Sequence, residues 1–345
     1  MKKSNKFIRS ICIGFALIAC LPAGLMAQEP NFSQFIVSPM SINPALTGSS
    51  DADWRTASNI RRQWIGSISP YSTQTISIDG KLKTLEGQSY FGLGGMVLAE
   101  KAMDGLYKSN FVNLNASYHQ ALDDNGNGIS VALGVVNNST RVDLGGLTFD
   151  QQLSSSGFNQ TLPTAEMNLG NSTSFTSATA GLLYTYDTEF SFLNLGISGY
   201  RFIKTKRSLM NDPTKKISPR YSAHADFGTA INETISANFS ALHLIQDGIS
   251  VTSLGAIMGI QHGESGFEEN KIRMVNFGLY YRVNDAITPY VGYVFNGFQF
   301  GLSYDVSASS SKSGSVNYKS VELSFMYKKY LPAYRRKIGR YNSPY

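Results

Sequence analysis

Beyond its first 27 residues this 345-residue chain has no cysteine, because Cys12 and Cys20 both fall inside that opening stretch. A mature chain without thiols has no disulfide framework, no cysteine-ligated metal and no cysteine nucleophile. No run of eighteen apolar residues follows the opening, which excludes a helical membrane protein. Charge is sparse, at 16% Asp, Glu, Lys and Arg. The four histidines, His119, His224, His243 and His262, are scattered without ligand-type spacing, so no zinc site is expected. There is no phosphate loop, no nucleophile elbow and no Ser/His/Asp set. These gaps argue against an enzyme and against any cofactor.

The first residues have the form of an export signal. Lys2, Lys3, Lys6 and Arg9 give a basic start, Ile11 to Ile18 is a short apolar run, and Leu25-Met26-Ala27 fits a cleavage site. The run is too short and too one-sidedly flanked for a spanning anchor. A second processing site, Leu17-Ile18-Ala19-Cys20, would instead leave a lipidated Cys20. Removing residues 1–27 takes four of the 30 basic residues and no acid, leaving 26 against 24 acidic and a net charge of +2. The basic character of the whole chain therefore says nothing about nucleic acid.

What the mature chain does have is alternation. In Gly297 to Val306, Phe298, Phe300, Leu302, Tyr304 and Val306 interleave with Gly297, Gln299, Gly301, Ser303 and Asp305. The same period of two runs through Val112–Tyr118, Ile129–Val135 and Ser320–Tyr327, and no comparable stretch keeps a helical period. These strands reach about ten residues, the length a tilted strand needs to cross a bilayer. Their second face carries mainly Gly, Ser, Asn and Thr, with Asp305, Glu322 and His119. A soluble sandwich would expose Lys and Glu there, whereas a barrel lining need not. Turn signals at Asp123–Gly128, Asp187–Glu189, Asn232-Glu233, Asp247-Gly248, Asn284-Asp285 and Asn296-Gly297 separate the strands. Longer insertions cover Leu144–Ser172, Lys204–Pro219, His262–Lys271 and Ser307–Asn317.

The expectation is all-β: a transmembrane antiparallel β-barrel of about fourteen strands. Twelve stays open, because Asp247-Gly248 makes a tight turn where a long outer loop is expected and 262–271 the reverse. Asp123 to Gly128 also matches the first half of a calcium loop. The twelfth position, which needs a bidentate carboxylate, is Gly134, so a hairpin turn is the better reading. The expected organisation is a signal peptide over 1–27, a non-regular segment over 28–50, a barrel over 51–330 and a basic tail over 331–345.

The segment after the leader does not read as barrel strand. Gln28 to Phe35 and Pro39-Met40-Ser41-Ile42-Asn43-Pro44-Ala45-Leu46-Thr47-Gly48, followed by Arg61-Arg62-Gln63-Trp64 and Pro70-Tyr71, resemble the opening of the PorP/SprF family of Bacteroidetes outer-membrane proteins. The resemblance reappears at Phe300–Val306 and Ser320–Phe325. It implies a non-enzymatic barrel of the cell outer membrane that helps type IX secretion cargo, adhesins with a family-specific C-terminal domain among them, to reach and stay on the surface, in some cases for gliding. It also implies association with periplasmic and lipoprotein components of that machinery. Passive transport of a small or apolar solute is the alternative, since a barrel of this size can enclose a lumen.

Prolines and amides suit the opening segment to an ordered plug or strap inside or beneath the barrel. Phe32, Gln34, Pro39, Asn43 and Pro44 of this segment, with Arg62, Gln63 and Trp64 beyond it, form a candidate partner-binding or structural motif. In the outer loops, Phe149 and Phe158 can anchor an interface, and Lys206 and Arg207 can steer an acidic partner.

Overall fold

The alternation becomes a closed sheet. The structure, a computed structural model, describes residues 31–66, 70–83, 89–123, 126–155, 157–159, 161–162, 170–203, 218–262, 273–308 and 319–330. The leader, the basic tail, and Lys206 and Arg207 lie outside these residues. The strands are β1 (Trp54–Ile65), β2 (Tyr71–Lys83), β3 (Tyr90–Ala102), β4 (Tyr107–Ala121), β5 (Asn127–Val142), and the short pair β6 (Leu153–Ser154) and β7 (Gly157–Phe158). There follow β8 (Ser172–Asp187), β9 (Ser191–Tyr200), β10 (Arg220–Ala230), β11 (Ile235–Gln246) and β12 (Ile249–Gln261). The last four are β13 (Arg273–Arg282), β14 (Ala286–Phe295), β15 (Phe298–Ser307) and β16 (Lys319–Lys329).

Fourteen of these strands form one antiparallel barrel, each beside its sequence neighbour, with the β6–β7 hairpin set apart between β5 and β8. Closure comes from β1 pairing with β16, Trp54 opposite Lys329 and Arg61 opposite Glu322. The fourteen-strand count is thereby settled over twelve. β11 and β12 do pair across the two-residue turn Asp247-Gly248, and β12 and β13 pair across 262–272. Asp247 and Asn296 both have positive φ and each precedes a glycine of positive φ, the geometry of the tight hairpin turn that matches strand twist. The two ends of the barrel differ. β1 begins and β16 finishes at one, the closing end. The connections 143–171, 201–219 and 308–318 crowd the other, the loop end.

The two faces sort as the pattern predicts. Phe300, Leu302, Leu114, Leu133 and Ile76 point outward, exposed to the surroundings, while Asp305, Glu322, His119, Asn115 and Ser117 are buried inward. In bilayer the outward set meets lipid, and the exposure costs nothing there. The two tryptophans stand at opposite ends of β1, Trp54 and Trp64, both exposed. They are ten residues apart, roughly 33 Å of strand, or about 25 Å at a tilt near 40°, the height expected of an apolar band between aromatic girdles.

Candidate functional site: the N-terminal segment in the lumen

Residues 31–53 thread the barrel. Their local structure is a succession of single turns: a 3₁₀ turn at Phe35–Val37, one α-helical turn at Pro39–Ile42 and a 3₁₀ turn at Pro44–Leu46. Pro39 and Pro44 stand at the starts of their turns, where a missing N–H costs nothing, and Asn43 caps the second by accepting from the Ala45 N–H at 2.9 Å. From Phe32 to Gly48 every residue except the half-buried Ser41 is buried.

A non-regular backbone buried in this way leaves amides and carbonyls unpaired. Here side chains of the wall supply the partners. The Ser33 and Gln34 N–H groups donate to the Glu322 carboxylate at 2.8 and 3.0 Å. Tyr200 Oη donates to the Met40 carbonyl at 2.8 Å, Ser198 and Ser222 to that of Ile42 at 2.7 and 2.6 Å, and Ser117 to that of Thr47 at 2.7 Å. The Gly48 N–H donates to Asp79 at 2.7 Å, and Arg55, paired with Asp79 at 2.8 Å, donates to the Leu46 carbonyl.

Two polar clusters fix the segment along its length. Near the loop end, Arg61 pairs with Asp305 at 2.6 Å and lies 3.9 Å from Glu322, while Arg282 reaches Asp305 at 3.2 Å. Gln34 enters this cluster with its whole amide: Nε2 donates to Ser303 and to the Glu322 carbonyl, and Oε1 accepts from Ser324. At mid-height, Asn43 Nδ2 donates to the Leu182 carbonyl at 2.9 Å and meets His224 Nε2 at 3.2 Å. His224 Nδ1 lies 3.3 Å from Asp226. An amide donor on Nε2 selects the tautomer whose Nδ1–H faces the carboxylate. At the closing end Lys328 pairs with Asp51 at 2.8 Å. Burial alone would raise the Asp51 pKa, but the Lys328 ammonium and the Tyr330 hydroxyl outweigh it, so the carboxyl sits below its ordinary 3.8.

Apolar contacts complete the fit. Phe35, Ile36, Ile42 and Leu46 join Leu183, Leu242, Leu244 and Tyr280 of the wall, with Phe35 edge-on to Tyr280 at 5.7 Å. Phe32 packs with Leu98, Phe111, Val136 and Phe175. These wall residues interrupt the polar inner face where the segment lies against it. Glycine does the same service by its smallness: a Cβ on Gly181 would stand 2.0 Å from Asn43 Oδ1, and one on Gly196 would stand 2.1 Å from His224 Nε2.

Of the residues singled out by sequence, Phe32, Gln34, Pro39, Asn43 and Pro44 thus come together in the lumen. Arg62, Gln63 and Trp64 do not join them. Arg62 and Trp64 face outward and Gln63 is half-buried. The register of β1 against β16 shifts between Arg62 and Ile65, and Trp64 has φ 57°. The inward arginines are Arg55 and Arg61, which share the period-two face with Asn59 and were legible only through that phase. In the outer loop Phe149 is half-buried, whereas Phe158 is half exposed and sits opposite the still more exposed Leu153 on the β6–β7 hairpin.

The buried histidines do not assemble a nucleophile, base and orienting acid. His224 has a carboxylate on one side and an amide, not a hydroxyl, on the other; His119 meets Ser117, Ser130 and the Thr47 carbonyl. Among the described residues no three His, Cys, Asp or Glu converge as a metal site. In the Asp123–Gly128 stretch, Asp123 accepts from the Asn127 N–H at 3.0 Å and so closes a hairpin turn.

The family model described as type IX secretion system membrane protein PorP/SprF matches residues 25–327. No curated protein matches the chain. Among solved structures, the toluene transporter TbuX of Ralstonia pickettii is similar over 86% of this chain and 94% of its own, at 12% identity and a TM-score of 0.51. A FadL homologue of Pseudomonas aeruginosa is similar over 83% and 92%, at 10% identity and a TM-score of 0.49. At such identities the likeness is one of fold.

Proposed function

Because the chain belongs to the PorP/SprF family of type IX secretion system membrane proteins, we propose that it is a non-enzymatic, cargo-specific docking barrel of the outer membrane. It would serve the secretion and surface attachment of adhesin-type cargo, through the cargo's C-terminal domain. The observation that carries this reading is the locked segment in the lumen. Wall side chains hold residues 32–48 at every level, so the molecule is better suited to present a surface than to pass a solute. The surface with most to offer is the loop end, taken as the outside because long loops of such barrels face outward. There Leu153 and Phe158, 70% and 51% exposed and opposite each other, form an apolar tip. An exposed pair of this kind can fill a pocket on a partner. The Lys204–Pro219 loop, with Lys206 and Arg207, would steer an acidic partner. Candidate partners at the periplasmic side are the machinery's periplasmic and lipoprotein components.

Deleting the gene should remove one or a few surface adhesins while other type IX substrates continue to be secreted. Replacing 144–172 or 204–219 by a short Gly/Ser link, in a barrel that still inserts, should reduce adhesin display. Normal display after both replacements would move recognition to the lumen segment. Loss of every substrate in the deletion strain would make the protein a core component. Passive transport is the competing reading, and solute-dependent conductance of the intact barrel in a planar bilayer would favour it.

A further inference from the structure

One carboxylate of the lumen lacks a counter-ion. Asp79, Asp305 and Glu322 have an arginine nitrogen at 2.8, 2.6 and 3.9 Å respectively. Asp226, on β10 and 1% exposed, has only His224. That imidazole is neutral, because its Nε2 faces the Asn43 amide nitrogen, which also donates to the Leu182 carbonyl. The charge of Asp226 is therefore buried without compensation, a costly arrangement.

Oxygens without partners gather around it. Among the described residues, Asp226 Oδ1, Asn238 Oδ1 and Ser240 Oγ have no hydrogen-bond partner, and Asn238 and Ser240 are each 5% exposed. Strand pairing brings the three together. Ser240 lies directly opposite Asp226, and Asn238 is opposite Gly228, the next inward position of β10. Asn238 leans toward β10, since its Nδ2 donates to the Phe227 carbonyl at 3.4 Å. Directly opposed residues hold their Cβ atoms about 5 Å apart and diagonal ones lie about 7–8 Å apart, a spacing that side-chain oxygens can close upon one small ion. Asn194, opposite Asp226 on β9, adds an amide to the same row. Beyond Ser240, Gly255 makes room for Tyr280: a Cβ there would stand 2.4 Å from Ser240 Oγ and 2.8 Å from the Tyr280 ring. The pattern is one carboxylate among neutral oxygens.

We infer that Asp226, Asn238 and Ser240 hold a monovalent alkali cation of the sodium class, with Asn194 at the edge of the site. Oxygen donors select a hard cation. Its single charge follows from the closed setting: one positive charge balances Asp226, whereas a divalent ion would leave an excess as costly as the deficit it removes. A buried water can donate to two of the oxygens but leaves the charge in place. Asp226 also orients His224, the imidazole that receives Asn43, so the ion belongs to the fastening of the lumen segment. Cargo recognition at the loop end plays no part in it.

The test uses the full-length barrel in neutral detergent. Thermal unfolding is followed by circular dichroism in sodium chloride and in choline chloride of equal ionic strength. Sodium should raise the midpoint by a few degrees and saturably, as a ligand of the folded state alone does. Asp226→Asn keeps the shape and the acceptor for His224 but not the charge. It should lose the sodium dependence, and in choline it should match or exceed the wild type, since it no longer buries an unbalanced charge. Asp104→Asn, in an exposed turn, should keep the dependence. Crystals soaked in a thallium(I) salt should show an anomalous peak among Asp226, Asn238 and Ser240, which decides the matter should Asp226→Asn fail to insert. Equal midpoints in sodium and choline, as a proton on Asp226 would give, would overturn the assignment. So would stabilisation by calcium in place of sodium, a dependence that survives Asp226→Asn, or a thallium map without that peak.

Discussion

Arg61 shows how much one inward residue can carry. Its side chain is 1% exposed and bridges Asp305, Glu322 and the Asn31 carbonyl, so that it fastens the start of the lumen segment to β1, β15 and β16 at once. Removing one partner of a buried ion pair leaves a charge without compensation, which costs about 3–5 kcal/mol. Arg61→Leu is therefore expected to lower the stability of the folded barrel by that amount in a urea titration in detergent. Arg61→Lys should recover part of the loss, since it keeps the charge but not the planar fork. Equal stability of the leucine variant and the wild type would mean that Arg282 alone holds Asp305. Asn43 illustrates the same economy without charge. A single amide caps one turn, bonds a strand carbonyl and fixes the tautomer of His224. Neither role is readable from the residue types. An Asn-Pro pair announces a turn, but nothing in the sequence says that His224 lies across the lumen from it.

For a single strand, legibility follows from the period of two. β15 came out with the phase expected, Leu302 outward and Ser303 buried, because lipid on one side and a filled lumen on the other impose one register. Leu302 is the fifth of ten residues in β15 and Phe300 the third, so Leu302 lies nearer the middle of the span. Leu302→Arg should destabilise the barrel by about 2–4 kcal/mol and Phe300→Arg by less, as the cost of a lipid-facing cation falls toward the interfaces. A Ser303→Arg variant would fail for a different reason, by displacing Gln34. Thermal migration assays across the three separate these causes, and an equal effect at 300 and 302 would contradict the assigned depth. In β1, Arg62 and Trp64 continue the outward phase of Ile60, opposite to the inward Asn59 and Arg61, and the register shift against β16 falls only beyond Arg62.

At the scale of the molecule, the barrel and its lumen segment form one fold. Residues near Phe32 contact the wall close to the loop end, and Asp51 and Asp53 contact it at the closing end, so the segment runs the length of the lumen. Deleting 31–50 in a barrel that still inserts should convert a silent protein into one with steady ion conductance in planar bilayers; an unchanged record would show that inward side chains alone obstruct the path. The sequence by itself determined the membrane-spanning sheet, most of its turns and the distinct opening segment, and narrowed the strand count to fourteen or twelve. Those depend on local periodicity and turn chemistry, which are written in consecutive residues. Only the tertiary structure decided that the opening segment threads the lumen and that Glu322, Asp79 and His224 receive it. These contacts join residues 31 to 289 positions apart, from Gly48 with Asp79 to Ser33 with Glu322. Barrel closure sets such neighbours through strand order and shear, and neither is recorded in any short stretch of chain.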